Sequence, residues 1–301
     1  MSPFFSVIIP TYNRAHLIVK TIRSVLNQSF RDFEIIVVDN HSTDNTVEEL
    51  EPFLKERSIT LVLQDKNYER AVSRNKGFDH ATGKYVTLLD SDDIMYSSCL
   101  QDAYEFLQLN PQATFFHSAH QTIDEDGIVL SIGNLHPPLN PFKKLATGNY
   151  ISNIGIFIET SVARTVRVDE TPVLIGMEDY DFLLRVLNKT GSVGFIPKIN
   201  SGILNHPSRT VLTQEMERIK NRVDFFIAKS LKSELFSGFF SPFKKYFLSG
   251  NHLYICGAAA IRGMTKTAFI YLIKAVKSHP AIIFSLRFWK HCFVIFKYIG
   301  K

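Results

Sequence analysis

At 301 residues, 45% hydrophobic and 21% charged, the chain has room for one large core, or for a domain with an appendage. Three widely spaced cysteines (Cys99, Cys256, Cys292) with no CxxC pair argue against a disulfide framework or a zinc site and fit a reducing compartment. The net charge of +5 divides unevenly, −8 over residues 1–217 and +13 over residues 218–301, so an acidic first part precedes a basic and apolar tail.

The amino-terminal "MSPFFSVIIPTYN" has neither a basic n-region nor a small-residue cleavage site, which makes a cytoplasmic location the expectation. "FSVIIPTYN" (5–13) reads as a buried strand stopped by Pro10. Residues 15–27 have helical spacing, with Leu17, Ile18, Ile22, Val25 and Leu26 on one face. "FEIIVVD" (33–39) is a second strand, after which Ser42, Thr43 or Asp44 is placed to cap a helix starting near Thr46. "ITLVLQD" (59–65), a helix over 71–81 and "KYVTLLD" (84–90) follow. Strands alternating with helices predict a Rossmann-like, mostly parallel α/β sheet flanked by helices. In such sheets ligands bind beyond the carboxyl ends of the strands. The polar clusters 11–14, 39–44 and 90–93 all fall there.

Further along, "ATFFHSAHQTID" and "GIVLSI" predict a hairpin around Asp126-Gly127, and "GNYISNIGIFIE" another strand. "MEDYDFLLRVLNKTG" reads as a helix closed by Gly191. From residue 215 to 301 the sequence predicts helices rich in Phe, Ile, Lys and Arg, which divides the chain into a domain over 1–214 and a helical, basic and aromatic extension. The longest charge-free stretch of that extension, Tyr246 to Ile261, has 16 residues and falls short of a membrane span. At 100° per residue, Arg287, Lys290, His291, Lys297 and Lys301 share one stripe, with Phe, Ile, Leu and Trp elsewhere. Such a helix fits a membrane surface, its basic residues facing anionic headgroups, or else packing on the main domain. The positive charge lies in this apolar tail without a separate polar basic face, which argues against a nucleic-acid partner.

The strand "YVTLL" runs straight into Asp90, Asp92 and Asp93, where mutual repulsion makes ionisation costly. A cap for a helix over "IMYSSCLQDAYEFL" explains one of these carboxylates; a divalent cation explains two or three.

Taken together, "SVIIPTYNR", "FEIIVVDNHSTDNT", "NKGFDHATGKYVTLLDSDD" and "MEDYDFLLR" resemble the successive motifs of family 2 glycosyltransferases with the GT-A fold, over roughly residues 4–210. The resemblance implies an inverting transferase that moves a sugar from a nucleotide-diphosphate donor. Asp90-Ser91-Asp92 then matches the family's DxD element, with Asp92 as ligand of Mn2+ or Mg2+ and Asp90 near the ribose or behind the metal's direct ligands. Asp39 matches the aspartate that accepts from N3–H of uracil, a fitting task for an acceptor-only carboxylate. Thr11, Tyr12 and Arg14 fall beside base and ribose, and Arg74 near the base and diphosphate. Asp179 matches the general base, with Asp181 as fallback; His206 falls where relatives have a histidine for metal or diphosphate, and Arg209 offers a phosphate contact. The implied partners are a UDP-sugar and a glycan or polyprenyl-diphosphate-linked acceptor, on the cytoplasmic face of the plasma membrane. Two other readings are a non-catalytic nucleotide-sugar-binding or tethering module and a sugar nucleotidyltransferase. The latter calls for a Gly-rich loop after the first strand, where "PTYNRAHL" has no glycine.

Overall fold

The computed structural model describes residues 2–206 and 215–298. In chain order its elements begin β1 (Phe5–Thr11), α1 (Ala15–Leu26), β2 (Phe33–Asp39), α2 (Thr46–Lys55), β3 (Thr60–Leu63), α3 (Glu69–His80), β4 (Tyr85–Leu88), β5 (Ile94–Met95), α4 (Cys99–Leu109), β6 (Phe115–Ile123) and β7 (Val129–Ile132). They continue α5 (Pro141–Thr147), β8 (Ile156–Glu159), α6 (Thr160–Val166), α7 (Glu178–Thr190), β9 (Gly194–Leu204), α8 (Met216–Lys232), α9 (Lys244–Ile261), α10 (Thr265–Ser278) and α11 (Leu286–Tyr298). Two compact units result, one from residues 2–137, 151–170 and 185–206, the other from 138–150, 171–184 and 215–298. Besides the helices beyond residue 215, the second unit therefore takes in α5 and the first half of α7.

The first unit holds the sheet, in the order β3-β2-β1-β4-β8-β6-β9-β5, with β7 pairing to β6. The stretch β3-β2-β1-β4 is parallel throughout, and the remainder is mixed. β1 is buried along its whole length, which is why its sequence reads as a continuous apolar run rather than an alternation. Its ladder to β4 ends at Ile8↔Leu88, whereas its ladder to β2 runs on to Thr11↔Asp39. Ile8 uses its carbonyl on the β4 side, accepting from Leu89 N–H, so Pro10 two residues on faces the same side, past the last pair. The missing N–H of Pro10 therefore costs no ladder bond. Strand order reverses between β1 and β4, and beyond Ile8↔Leu88 the two strands part; this is the crevice where open α/β sheets bind ligands.

Beneath the sheet, Val7, Ile9, Ile22, Val37, Tyr85 and Phe157 belong to one buried cluster. Helix α3 lies so close to β1 that a Cβ at Gly77 would sit 2.2 Å from Ile8 Cγ2. Asn75 on the same helix donates to the Val168 carbonyl (2.8 Å) and to Glu170 Oε1 (2.7 Å), and accepts from Val168 N–H. These contacts fix the face of α3 that carries Arg74.

Several expectations are met and others are corrected; β1 runs through Pro10 to Thr11 rather than stopping at the proline. The β6–β7 hairpin turns at Gly127, whose φ of +84° requires glycine, and Gly191 closes α7 with φ +69°. The helix expected over "IMYSSCLQDAYEFL" begins only at Cys99, because Ile94–Met95 instead pairs with β9. Neither Asp92 nor Asp93 caps it.

In the second unit α8 to α11 bury Phe226, Phe240 and Phe247. Lys229 of α8 donates to the buried Asp181 of α7 at 2.6 Å, and Tyr180 donates to the Leu145 carbonyl of α5 at 2.6 Å. The basic stripe of α11 does not form one outward face. Arg287 turns inward and His291 bonds back to the Arg287 carbonyl, leaving Lys290 and Lys297 exposed; Lys301 lies outside the described residues. Outward from α11 stand Leu286, Trp289, Phe293 and Phe296. No helix among the described residues is long and apolar enough to cross a membrane.

Candidate functional site

The carboxyl ends of β1 and β2 carry the first group of side chains. Asp39, the last residue of β2, is 2% exposed, and its carboxylate accepts from the Ser42 hydroxyl (2.5 Å) and the Ser42 N–H (2.9 Å). Ser42 thus anchors Asp39 rather than capping α2, whose Thr46 N–H goes to Asp44. The loops after β1 and β2 are laced together: Asn13 N–H donates to Ser42 Oγ, Thr43 N–H to Asn13 Oδ1, and Arg14 N–H to Thr46 Oγ1. Asn13 adopts a positive φ (+51°), a conformation Asn tolerates better than most residues. Thr11, at the end of β1, is 3% exposed, and its hydroxyl has no hydrogen-bond partner among the described residues. A buried hydroxyl left unpaired at a strand tip is what a bound ligand would satisfy. Tyr12 next to it is 40% exposed.

Sequence reading missed a second set of polar residues here. Gln64 Nε2 donates to both Asn40 Oδ1 (2.9 Å) and Ser73 Oγ (2.8 Å), while Asn40 Nδ2 donates to Asn67 Oδ1. This buried network ties the tips of β2 and β3 to α3. The amides give no sequence signal because their partners come from three separate segments.

The second group surrounds the tip of β4. Arg74, 2% exposed, reaches from α3 to Asp90 Oδ1 at 3.1 Å. Asp92 Oδ2 faces His206 Nε2 at 3.0 Å and Arg14 Nε at 3.6 Å. Asp93 is structural: buried, it accepts from Leu204 N–H at 2.9 Å, and so fastens the turn to the end of β9. The Thr21 hydroxyl lies 3.0 and 2.9 Å from the carbonyls of Ser91 and Asp93, which fixes the backbone between them. The three carboxylates thus have separate tasks, and each meets a donor instead of its neighbours. Asp92 and His206 converge as an oxygen and an imidazole donor, a pair that could hold Mn2+ when substrate phosphates and water complete the shell, the carboxylate alone suiting Mg2+. Among the described residues no three His, Cys, Asp or Glu form a metal cage. Arg209 lies outside the described residues.

Asp179 belongs to the second unit, in the first turn of α7. Its Oδ1 accepts from Tyr180 N–H at 2.7 Å. It lines a cavity of about 590 Å³ together with Lys144, Tyr150, Asn251, Tyr254 and Arg287. Of the neighbouring acids, Glu178 turns back to accept from Gly176 N–H, and Asp181 pairs with Lys229. Burial pushes the Tyr180 phenol well above its ordinary range, so it stays a neutral donor to α5.

The model of the family described as Glycosyl transferase family 2 matches residues 6–169. Over 100 residues the chain is 41% identical to the GalNAc(5)-diNAcBac-PP-undecaprenol beta-1,3-glucosyltransferase of Campylobacter jejuni, which covers 33% of this chain and 32% of that protein. The matched region spans about a quarter of the length of the Rickettsia glycosyltransferases that it resembles. Among solved structures, S. aureus TarS 1–349 in complex with UDP-GlcNAc has a TM-score of 0.68 at 17% identity, covering 98% of this chain and 89% of that one. The mannosyltransferase PcManGT from Pyrobaculum calidifontis, in complex with GDP-Man and Mn2+, has 0.61 at 17%, covering 99% and 86%.

Proposed function

The chain belongs to glycosyl transferase family 2 and has the mixed α/β GT-A fold with carboxy-terminal helices; from that premise we propose that it is an inverting transferase using a UDP-sugar. The observation that carries this reading is the strand-tip arrangement: Asp39 anchored by Ser42, the unpaired Thr11 hydroxyl, the Arg74–Asp90 pair and the Asp92–His206 pair. Asp39 offers carboxylate oxygens as acceptors to the imide N–H of uracil; cytosine presents no such proton. Guanine also presents a ring N–H beside a carbonyl, and PcManGT binds GDP-Man, which makes GDP the informative competitor. Thr11, Tyr12 and Arg14 would flank base and ribose. Arg74, Asp90 and Ser91 would set the position of the diphosphate and ribose.

Asp92 and His206 would hold a divalent cation, Mn2+ or Mg2+, which when bound offsets the charge that builds on the leaving diphosphate. Arg74 adds a fixed positive charge that needs no reorganisation during the reaction. The acceptor hydroxyl attacks the anomeric carbon, the bond from that carbon to the diphosphate oxygen breaks, and the electron pair leaves with UDP. Asp179 takes the hydroxyl proton. A single displacement of this kind inverts the anomeric centre.

The acceptor in this reading is a growing glycan on a lipid diphosphate, as the name of the Campylobacter relative describes for that protein. Residues 1–214 would form the catalytic domain and 215–301 an extension that rests on the cytoplasmic face of the membrane. The outward Trp289, Phe293 and Phe296 of α11 support this, with Lys290 and Lys297 beside them.

The test is turnover of a panel of α-linked UDP-sugars with lipid-diphosphate glycans, the product's anomeric coupling being read by proton NMR. A β-linked product is expected. An α-linked product would overturn the inverting assignment, and transfer from GDP-sugars alone would overturn the donor assignment.

A further inference from the structure

Arg287 is a cation whose position the proposed reaction does not yet use. It reaches from α11 into the second unit's cavity, donating from Nη1 to the Thr147 carbonyl (2.5 Å) and from Nη2 to the Gly250 carbonyl (3.3 Å). Two glycines make that reach available. A Cβ at Gly148 would stand 3.2 Å from Arg287 Nη1, and one at Gly250 would stand 2.1 Å from the Thr147 oxygen. Among the described residues no carboxylate pairs with Arg287. Burial pushes its guanidinium below its ordinary range, yet an arginine stays charged in a protein.

Arg287 is half-buried, and a permanent charge partly withdrawn from water gains from an anionic partner. Two neutral carbonyls use only part of a fork with five N–H donors. The remaining charge faces a cavity that also holds Lys144 and Asp179. An uncharged sugar would leave that charge uncompensated, and an anion would pair with it, commonly through two parallel hydrogen bonds. Arg287 and Lys144 would also offset the repulsion between such an anion and the Asp179 carboxylate.

We propose that this cavity binds an anionic oxygen group on the acceptor, a phosphate or a sugar carboxylate, with Arg287 as its principal ligand. The proposal rests on the reading of Asp179 as the acceptor-side base and adds that the acceptor presents an anionic group at this cavity. Arg287 here is a specificity-determining residue, and the carbonyl contacts hold its fork in place.

The experiment titrates inorganic phosphate, glucuronate and neutral glucose into the full chain by calorimetry, each with UDP already saturating. Wild type, Arg287→Gln and the exposed control Lys290→Gln are compared. Saturable binding of phosphate or glucuronate but not glucose is expected, weakened about tenfold or more in Arg287→Gln and unchanged in Lys290→Gln. Which anion binds tells a phosphate-bearing acceptor from a uronic acid. Should Arg287→Gln fail to fold, wild-type hydrogen exchange decides: the anion is expected to slow exchange at residues 144–150 and 286–291. Equal anion binding by wild type and Arg287→Gln, no anion binding by wild type, or no protection in those segments would overturn the proposal. UDP binding is measured in the same samples, so loss of the donor reading shows separately from loss of this one.

Discussion

His206 Nε2 stands 3.0 Å from Asp92 Oδ2, although the two residues are 114 positions apart in sequence. The contact joins the tip of β4 to the end of β9 and brings a carboxylate oxygen and an imidazole nitrogen to one point. On this account His206→Ala lowers the gain in UDP affinity that Mn2+ brings by about tenfold or more, and leaves metal-free UDP affinity unchanged. Calorimetry with and without Mn2+ checks it. A variant that loses thermal stability but keeps the full Mn2+ gain would make His206 a structural partner of Asp92 and nothing more.

Asp179 and Asp181 sit on the same turn of α7, yet they meet different surroundings. Asp179 lines the cavity, and Asp181 is buried against Lys229. Asp179→Asn is expected to lower the transfer rate by about 10²- to 10⁴-fold with little change in Tm. Asp181→Asn breaks a buried ion pair and is expected to cost about 3 kcal/mol of stability, with the folded fraction still active. Rates and melting curves on both variants separate the roles; the reverse pattern would move the base to Asp181.

His117 on β6 is buried, its ring packed 4.9 Å from that of Phe195, and burial lowers its pKa from 6.5 to about 4. Between those values the unfolded chain takes up a proton that the folded chain refuses. The stability held above pH 6.5 is therefore lost as pH falls toward 4, by about 3 kcal/mol for this residue. His120, His252, His279 and His291 are shifted in the same direction, burial being the largest cause in each. Melting curves at pH 7 and 4.5 should show a smaller loss in His117→Gln than in wild type. Equal losses would contradict the assignment.

Trp289, Phe293 and Phe296 point out of α11, flanked by Lys290 and Lys297. The triple alanine variant is expected to bind vesicles containing anionic lipid more than about tenfold more weakly, since each aromatic side chain buried contributes about 1.5–3 kcal/mol. High salt alone should weaken binding less, because it screens only the lysines. Sedimentation with vesicles measures both. No binding by wild type would remove the membrane from the account.

The parallel half of the sheet was legible because β1, β2 and β4 are buried and read as unbroken apolar runs with polar clusters at their ends. Asp39 and Asp92 stand out as candidates on the same basis, and Arg74 of α3 by motif order. Other features depend on distant pairing. β5 is two residues long and exists only against β9, which itself carries Pro197 and no clean alternation. The role of Asp93 depends on Leu204 N–H, and that of Gln64 on Asn40 and Ser73. The helical wheel put Arg287 on an outward stripe; its contacts with Thr147 and Gly250 come from the packing of three helices that no single-helix projection contains.

The central claim is a metal-assisted uridine-diphosphate site at the tips of β1, β2 and β4. Its most direct test is calorimetric titration of UDP, GDP and CDP with and without Mn2+, on the intact protein and on Asp92→Ala. UDP is expected to bind more tightly than GDP or CDP, with a Mn2+-dependent gain that Asp92→Ala abolishes. Equal UDP binding in the variant with Mn2+ present, or no nucleotide binding by folded wild type, would contradict it.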